Sequence, residues 1–94
     1  LPVVWNPGQS VCLGESHPNV GLAQWMLETL SQRYPGIPLP SRSGTLDEST
    51  ADSLSAFQQL HGLPQTRRLD RKTWQALTRQ YPLAATRGHK RVKN

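Results

Sequence analysis

Leu46-Asp47-Glu48-Ser49-Thr50 and, 23 residues further on, Leu69-Asp70-Arg71-Lys72-Thr73 are two spellings of one motif. Each copy places a second leucine eight residues after its first, at Leu54 and Leu77. An aspartate directly before such a run reads as a helix N-cap. Its carboxylate accepts hydrogen bonds from the free N–H groups of the first turn and suits the positive end of the helix dipole. A helix start used twice, with no catalytic grouping beside it, predicts a scaffold assembled from one repeated unit.

Reading outward from the first copy, Ala51, Leu54, Phe57 and Leu60 or His61 form the inner stripe of a helix. Gly62-Leu63-Pro64 stops it, with a glycine for a left-handed turn, a leucine to fold back and a proline that cannot continue. After the second copy, Trp74, Leu77 and Tyr81 form another stripe, and Pro82 is expected to close that helix. Upstream, Pro18 suits a first turn, with Ser16 or His17 as cap. Val20, Ala23, Leu27, Leu30 and Tyr34 then recur at helical spacing. Leu22, Trp25 and Met26 widen this stripe, so Trp25, like Trp74, is expected to be mainly structural. Pro35-Gly36 ends the first helix, and residues 35–45 form a loop rich in proline, glycine and serine. Residues 1–14, broken by Pro2, Pro7, Gly8 and Gly14, are expected to be extended, with Val3, Val4, Trp5, Val11 and Leu13 available for packing.

The predicted fold class is all-α: a small three-helix bundle with an extended N-terminal segment. Residues 1–83 form the domain and residues 84–94 a flexible basic tail. Ninety-four residues, 35% of them hydrophobic, allow one modest core. No apolar run is long enough to span a membrane. Cys12 is the single cysteine, so an internal disulfide is impossible.

The net charge of +5 conceals a gradient. Residues 1–66 hold two Lys or Arg against five Asp or Glu, net −3, whereas residues 67–94 hold nine against Asp70 alone, net +8. Such a cationic end invites an anionic partner, including anionic wall polymers through the basic tail.

Val20-x-x-Ala23-Gln24-x-x-Leu27, Gly44-Thr45-Leu46-Asp47-x-x-Thr50, Phe57-Gln58-x-x-x-Gly62-Leu63-Pro64 and Leu69-Asp70-x-x-Thr73-Trp74-x-x-Leu77 stand in an order and spacing that resembles the peptidoglycan-binding domain found beside many cell-wall hydrolases. The likeness runs from about Gly14 to Tyr81. The Tyr34-Pro-Gly-Ile-Pro38 loop and Trp5-Asn6-Pro7-Gly8 look most like versions from Gram-positive, spore-forming bacteria. The resemblance implies a non-catalytic three-helix module, without cofactor, that binds peptidoglycan or muropeptide and tethers an attached domain to the wall. It implies an extracellular location, in the cell wall or spore envelope. Its ligand would lie in a shallow groove made by helix ends and loops. Family members usually carry glycine at the positions of Asp47 and Arg67, and leucine at Ala23. Asp47 serves as a cap as Asp70 does, while Arg67 forces a different turn or sets a cation at the groove edge.

The candidate ligand-binding residues are Arg42, Ser43, Gln58, Arg67 and Arg68. The arginines and Ser43 flank the two Leu-Asp motifs, where guanidinium forks suit the carboxylates of stem peptides. Gln58, like Gln24, could bind an N-acetyl carbonyl, although such an amide more often ties down a nearby loop. Cys12 and His17 make an incomplete metal pair that neither His61 nor His89 completes. Two rivals stand beside wall binding. One is an envelope or spore protein-interaction module that kept the fold and lost the ligand. The other is a DNA-binding helix-turn-helix reading through Arg71, Lys72, Gln75 and Arg79; against it, the link from Gly62 to Asp70 exceeds the usual tight turn.

Overall fold

The computed structural model describes residues 10–89, with side chains described as far as Tyr81. Three helices follow in order: α1 (Pro18–Arg33), α2 (Glu48–Leu60) and α3 (Arg71–His89). Among the described residues there is no named strand, and no helix is long and apolar enough to cross a membrane.

Both Leu-Asp motifs are helix starts. Asp47 caps α2 through Oδ1, which accepts the Thr50 N–H at 3.1 Å, and Asp70 caps α3 through the Thr73 N–H at 2.9 Å. The leucine before each cap is fully buried, so the cap and the core contact are set together. His17 caps α1, its Nδ1 accepting the Asn19 N–H at 3.0 Å. The α2 stop is a Schellman turn. Leu63 N–H reaches the Gln58 carbonyl at 2.8 Å, Gly62 N–H reaches that of Gln59 at 3.2 Å, and Gly62 takes φ +69°.

The core gathers Val20, Ala23, Leu27 and Leu30 of α1 with Ala51, Leu54 and Phe57 of α2 and Trp74 and Leu77 of α3. Met26 joins it, whereas Leu22, Tyr34 and Tyr81 pack half-buried at its edge. Three expectations are corrected. Trp25 is 58% exposed, because it stands about 180° around α1 from the centre of the stripe formed by Val20, Ala23, Leu27, Leu30 and Tyr34; of the alternatives Leu60 and His61, His61 packs on Phe57 and Leu60 is 51% exposed. Leu13 is likewise exposed. Finally, α3 does not close at Pro82 but runs on to His89, taking in the first part of the segment assigned to the tail. Proline has a helical φ, and inside a helix it loses one backbone bond and crowds the carbonyl four residues back, a cost of about 3 kcal/mol that disfavours continuation without forbidding it. The rest of that tail, 90–94, lies outside the described residues, as do Val3, Val4 and Trp5.

The chain before α1 does more than supply apolar side chains. Val11 pairs with Leu69 through two antiparallel backbone bonds of 3.0 Å. A few residues later Gly14 N–H donates to the Leu46 carbonyl at 2.8 Å, and Leu46 N–H donates to Glu15 at 2.9 Å. One short segment thus fastens both Leu-Asp motifs, and Val11 is itself part of the buried core.

Candidate functional site

Each Leu-Asp motif is held by a glutamine from the preceding helix. Gln24 is buried at 2% exposure, and its Oε1 accepts the Gly44 N–H at 2.8 Å. Its Nε2 donates to the Thr45 carbonyl at 3.0 Å and the Thr50 hydroxyl at 2.9 Å. Gln58, at 0% exposure, repeats the pattern. Its Oε1 accepts the Arg67 N–H at 3.2 Å, and its Nε2 donates to the Arg68 carbonyl at 3.2 Å and to Thr73 Oγ1 at 2.8 Å. The Gln58 amide is thus engaged at both ends within the second loop.

The Asp47 carboxylate ties the first loop from below. Oδ2 accepts the Ser41 hydroxyl at 2.6 Å and the Ser43 hydroxyl at 2.9 Å. The Ser41 bond, followed by those of Thr50 and Ser43, holds this carboxyl far below the usual carboxylate range. Ser43 and Arg42 are fixed in space by this network.

Between that loop and α1 lies an open groove of about 520 Å³, lined by Gly21, Trp25 and Glu28 from α1 and by Arg42, Ser43 and Gly44 from the loop, with Gln24 at its base. Gly21, Trp25 and Glu28 share one helix face by spacing. Gly21 has no side chain to fill the space, and a Cβ there would touch nothing within 4 Å. Arg42 forks onto Glu28, with Nε to Oε1 at 3.1 Å and Nη2 to Oε2. The Arg42 hydrogen bond lowers the Glu28 carboxyl below its ordinary value, and the same bond raises the guanidinium. Trp25 stands between this groove and a smaller apolar hollow lined by Leu22, Met26, Trp74, Thr78 and Tyr81. Its ring lies 5.9 Å from that of Tyr81.

Of the residues singled out by sequence, Arg42 and Ser43 come together on the groove, whereas Arg67 and Arg68 are not among its lining. Arg67 forms ion pairs with Asp52 at 2.7 Å and Glu48 at 2.8 Å. Its backbone takes φ +60°, close to the +80° of Gly44 at the matching position of the first unit. The arginine thus adopts the turn that glycine would make, and its side chain clasps the start of α2. Arg68 is exposed. Sequence reading missed Gly21, Trp25 and Glu28 as groove residues. Gly21 carried a usable signal: a glycine inside a helix is unfavourable, and it needs a reason such as space on that face.

The repeat explains why the first of two like loops borders this groove and the second does not. The helix offset is 34 (Gln24 to Gln58) and the loop offset 23 (Gly44 to Arg67), so Gly21 corresponds to Ser55 and Arg42 to Gln65. Gln65 Nε2 donates to Ser55 Oγ at 3.1 Å, closing in the second unit the space that stays open in the first.

Comparison with known proteins adds the family. The chain matches the family described as "Putative peptidoglycan binding domain" over residues 16–77, about two thirds of its length. No curated protein and no solved structure matches it. The matched span begins at Ser16, one residue before the cap of α1, and ends at Leu77, enclosing both glutamine-held loops and the whole groove. The chain therefore belongs to the peptidoglycan-binding domain family, whose members are binding domains and not catalytic ones.

Proposed function

We propose that this domain anchors the polypeptide of which it is part to the bacterial cell wall by seating peptidoglycan in the groove between α1 and the 42–44 loop. The observation that carries this reading is the exposed Trp25 beside the Arg42–Glu28 pair on a groove otherwise walled by glycines and a serine. An indole face offers a flat apolar platform for a sugar ring, and its exposure in the free domain leaves it available. Arg42 presents a planar fork suited to a stem-peptide carboxylate. Glu28 already occupies that fork, so it acts as an internal stand-in that a ligand carboxylate displaces. Ser43 and Gly44 add a hydroxyl and a close backbone approach, and Gln24 keeps the loop in register from beneath. Arg67 and Gln58 support the second loop instead, and Arg68 belongs to the outer surface.

The test is chemical-shift mapping with defined muropeptides, joined to co-sedimentation with purified sacculi. Amides of Gly21, Trp25, Ser43 and Gly44 are expected to shift together. Trp25→Ala and Arg42→Glu should each lower sacculus retention about tenfold, as loss of a binding anchor does, with helicity unchanged. Shifts centred on the opposite Tyr34–Ile37 surface would place the ligand elsewhere and refute the assignment.

A further inference from the structure

The charges of this molecule are sorted in an unusual way. All six carboxylates lie at or before Asp70, and each is engaged. Glu28 holds Arg42, while Glu48 and Asp52 hold Arg67. Glu15 accepts the Cys12 N–H at 2.8 Å, and Asp47 and Asp70 cap helices. Seven Lys or Arg follow Asp70, with no Asp or Glu among them. No acidic side chain is left to neutralise that surplus.

Part of the surplus is laid out on α3. Arg71, Lys72, Gln75 and Arg79 are all exposed, while Thr73, Trp74, Ala76 and Leu77 are buried on the other side. The four exposed residues fall within about 100° of arc, and Arg71, Gln75 and Arg79 follow one another at steps of about 6 Å along the axis. Arg68, exposed just ahead of the helix, extends the row. None of these four cations forms an ion pair among the described residues. The first turn of α3 has no acidic residue, unlike that of α2, which carries Glu48. Two cations at the positive end of a helix are locally unfavourable, so the pattern is not explained by helix stability. The argument rests on the whole row, more than two turns long, and not on that terminus.

We propose that Arg68, Arg71, Lys72 and Arg79 form a second wall contact that holds a linear phosphodiester polymer of the cell wall by charge. This surface is one exposed face of a helix, with Gln75 as the one uncharged side chain between Arg71 and Arg79 in its row. It can read repeated charge along a chain, but not the branched shape of a muropeptide. Each cation that meets a phosphate releases a counterion, which gives affinity without a shaped pocket. The choice of a wall polymer over other polyanions rests on the wall-binding reading above; the cationic row itself does not.

The experiment titrates the full chain with a soluble poly(glycerol phosphate) at several salt concentrations, with duplex DNA at equal phosphate concentration in a parallel arm. Three or four phosphate contacts predict a slope of about −2 to −3 in log K against log salt, on the single-strand relation. Arg71→Glu with Arg79→Glu should weaken binding more than about tenfold and flatten that slope by at least about one. Gln75→Lys adds a cation in the same row on an exposed, helix-favouring position, and should tighten binding severalfold, so the idea is testable even if the reversal variant folds poorly. Both variants should leave muropeptide shifts at Gly21, Trp25 and Ser43 as they are in the parent. The proposal is overturned if the reversal binds polymer within about twofold of the parent, if Gln75→Lys gives no gain, or if DNA binds more tightly than the wall polymer. Loss of muropeptide shifts in the parent with polymer binding intact would instead sink the groove assignment and leave this one standing.

Discussion

Replacing Gln24 by alanine tests the element on which the groove depends. Gly44 N–H, the Thr45 carbonyl and the Thr50 hydroxyl lose a close partner, and the Ser41 and Ser43 hydroxyls lose a longer one at 3.3 and 3.4 Å. They are not equally exposed to the loss. Thr45 keeps a second bond from the Ser43 hydroxyl at 3.1 Å, and Gly44 is half-buried, so water can replace part of what is removed. Thr50 is at 0% exposure, so water cannot reach its hydroxyl, which keeps its bond to Asp47 but is left with an unfilled acceptor site. A buried unsatisfied group costs about 1–3 kcal/mol, so about 2 for Thr50 and about 1 for Gly44 is a fair division. The lost methylene adds about 0.8 kcal/mol. The expected total is about 4 kcal/mol, a large part of the 5–15 kcal/mol typical of a whole domain. Urea unfolding followed by circular dichroism gives the number, and hydrogen exchange at Gly44 should show whether the loop is released before the helices. The control is Thr50→Val. Its combination with Gln24→Ala should cost clearly less than the two single changes added, because both remove the same bond. A loss below about 1 kcal/mol, or strict additivity with Thr50→Val, would show that the glutamine does not hold the loop.

Three further outcomes are expected. Arg67→Gly should melt about 4–8 °C above Arg67→Ala, because both lose the ion pairs to Glu48 and Asp52 while only glycine is at ease at φ +60°; equal melting temperatures would remove strain from the account. His61 lies against Phe57 with its Nε2 buried and unpartnered, and burial, followed by the Arg79 charge, pushes its pKa below 6.5. The unfolded chain therefore binds the proton more readily, so stability should be full above about pH 6.5 and fall as pH drops through that value. His61→Asn should flatten this dependence in melting curves taken between about pH 7.5 and 5.5. Gly21→Ala should raise stability by about 0.5–1 kcal/mol, since its Cβ meets nothing, whereas Gly21→Gln should keep the helical gain and weaken muropeptide binding about tenfold by filling the groove. A Gly21→Gln variant that binds normally would mean the space is not used.

The parts of this fold legible in the sequence are those set by local chemistry. Asp47, Asp70 and the Gly62-Leu63 stop act within four or five residues, so their roles show in spelling alone. The core stripe follows in the same way from helical spacing. What spacing does not give is the width of the buried arc, which is set by the partner helix. Met26, about 80° around α1 from the centre of the stripe, is core, whereas Leu22, about 120° away, is half-buried. The groove was half legible. Arg42 and Ser43 were singled out from their loop, but the residues opposite them depend on pairings 14 and 20 positions apart. The junction of Val11 with Leu69 was beyond reach for the same reason, since a two-residue bridge leaves no alternating pattern to read.

The place of the groove follows from where the two helices stop. With the helix offset of 34, Glu28 of the first unit corresponds to Gly62 of the second. In the first unit α1 runs nine residues past Gln24 before it ends at Arg33, so a further turn rises beside the loop and presents Glu28 to Arg42. In the second, α2 ends at Leu60, two residues past Gln58, and the left-handed Gly62 turns the chain away where that wall would stand. The short link to Asp70 then lays Gln65 against Ser55. One glutamine-and-aspartate clamp thus serves two ends. With a long helix and a long loop it leaves an open, polar-walled groove. With an early stop and a short loop it makes a closed junction that locks α3 to α2. The same residues that read as a stability device in both halves border an open groove in only one, and the difference is made by a helix stop rather than by any change in the clamp.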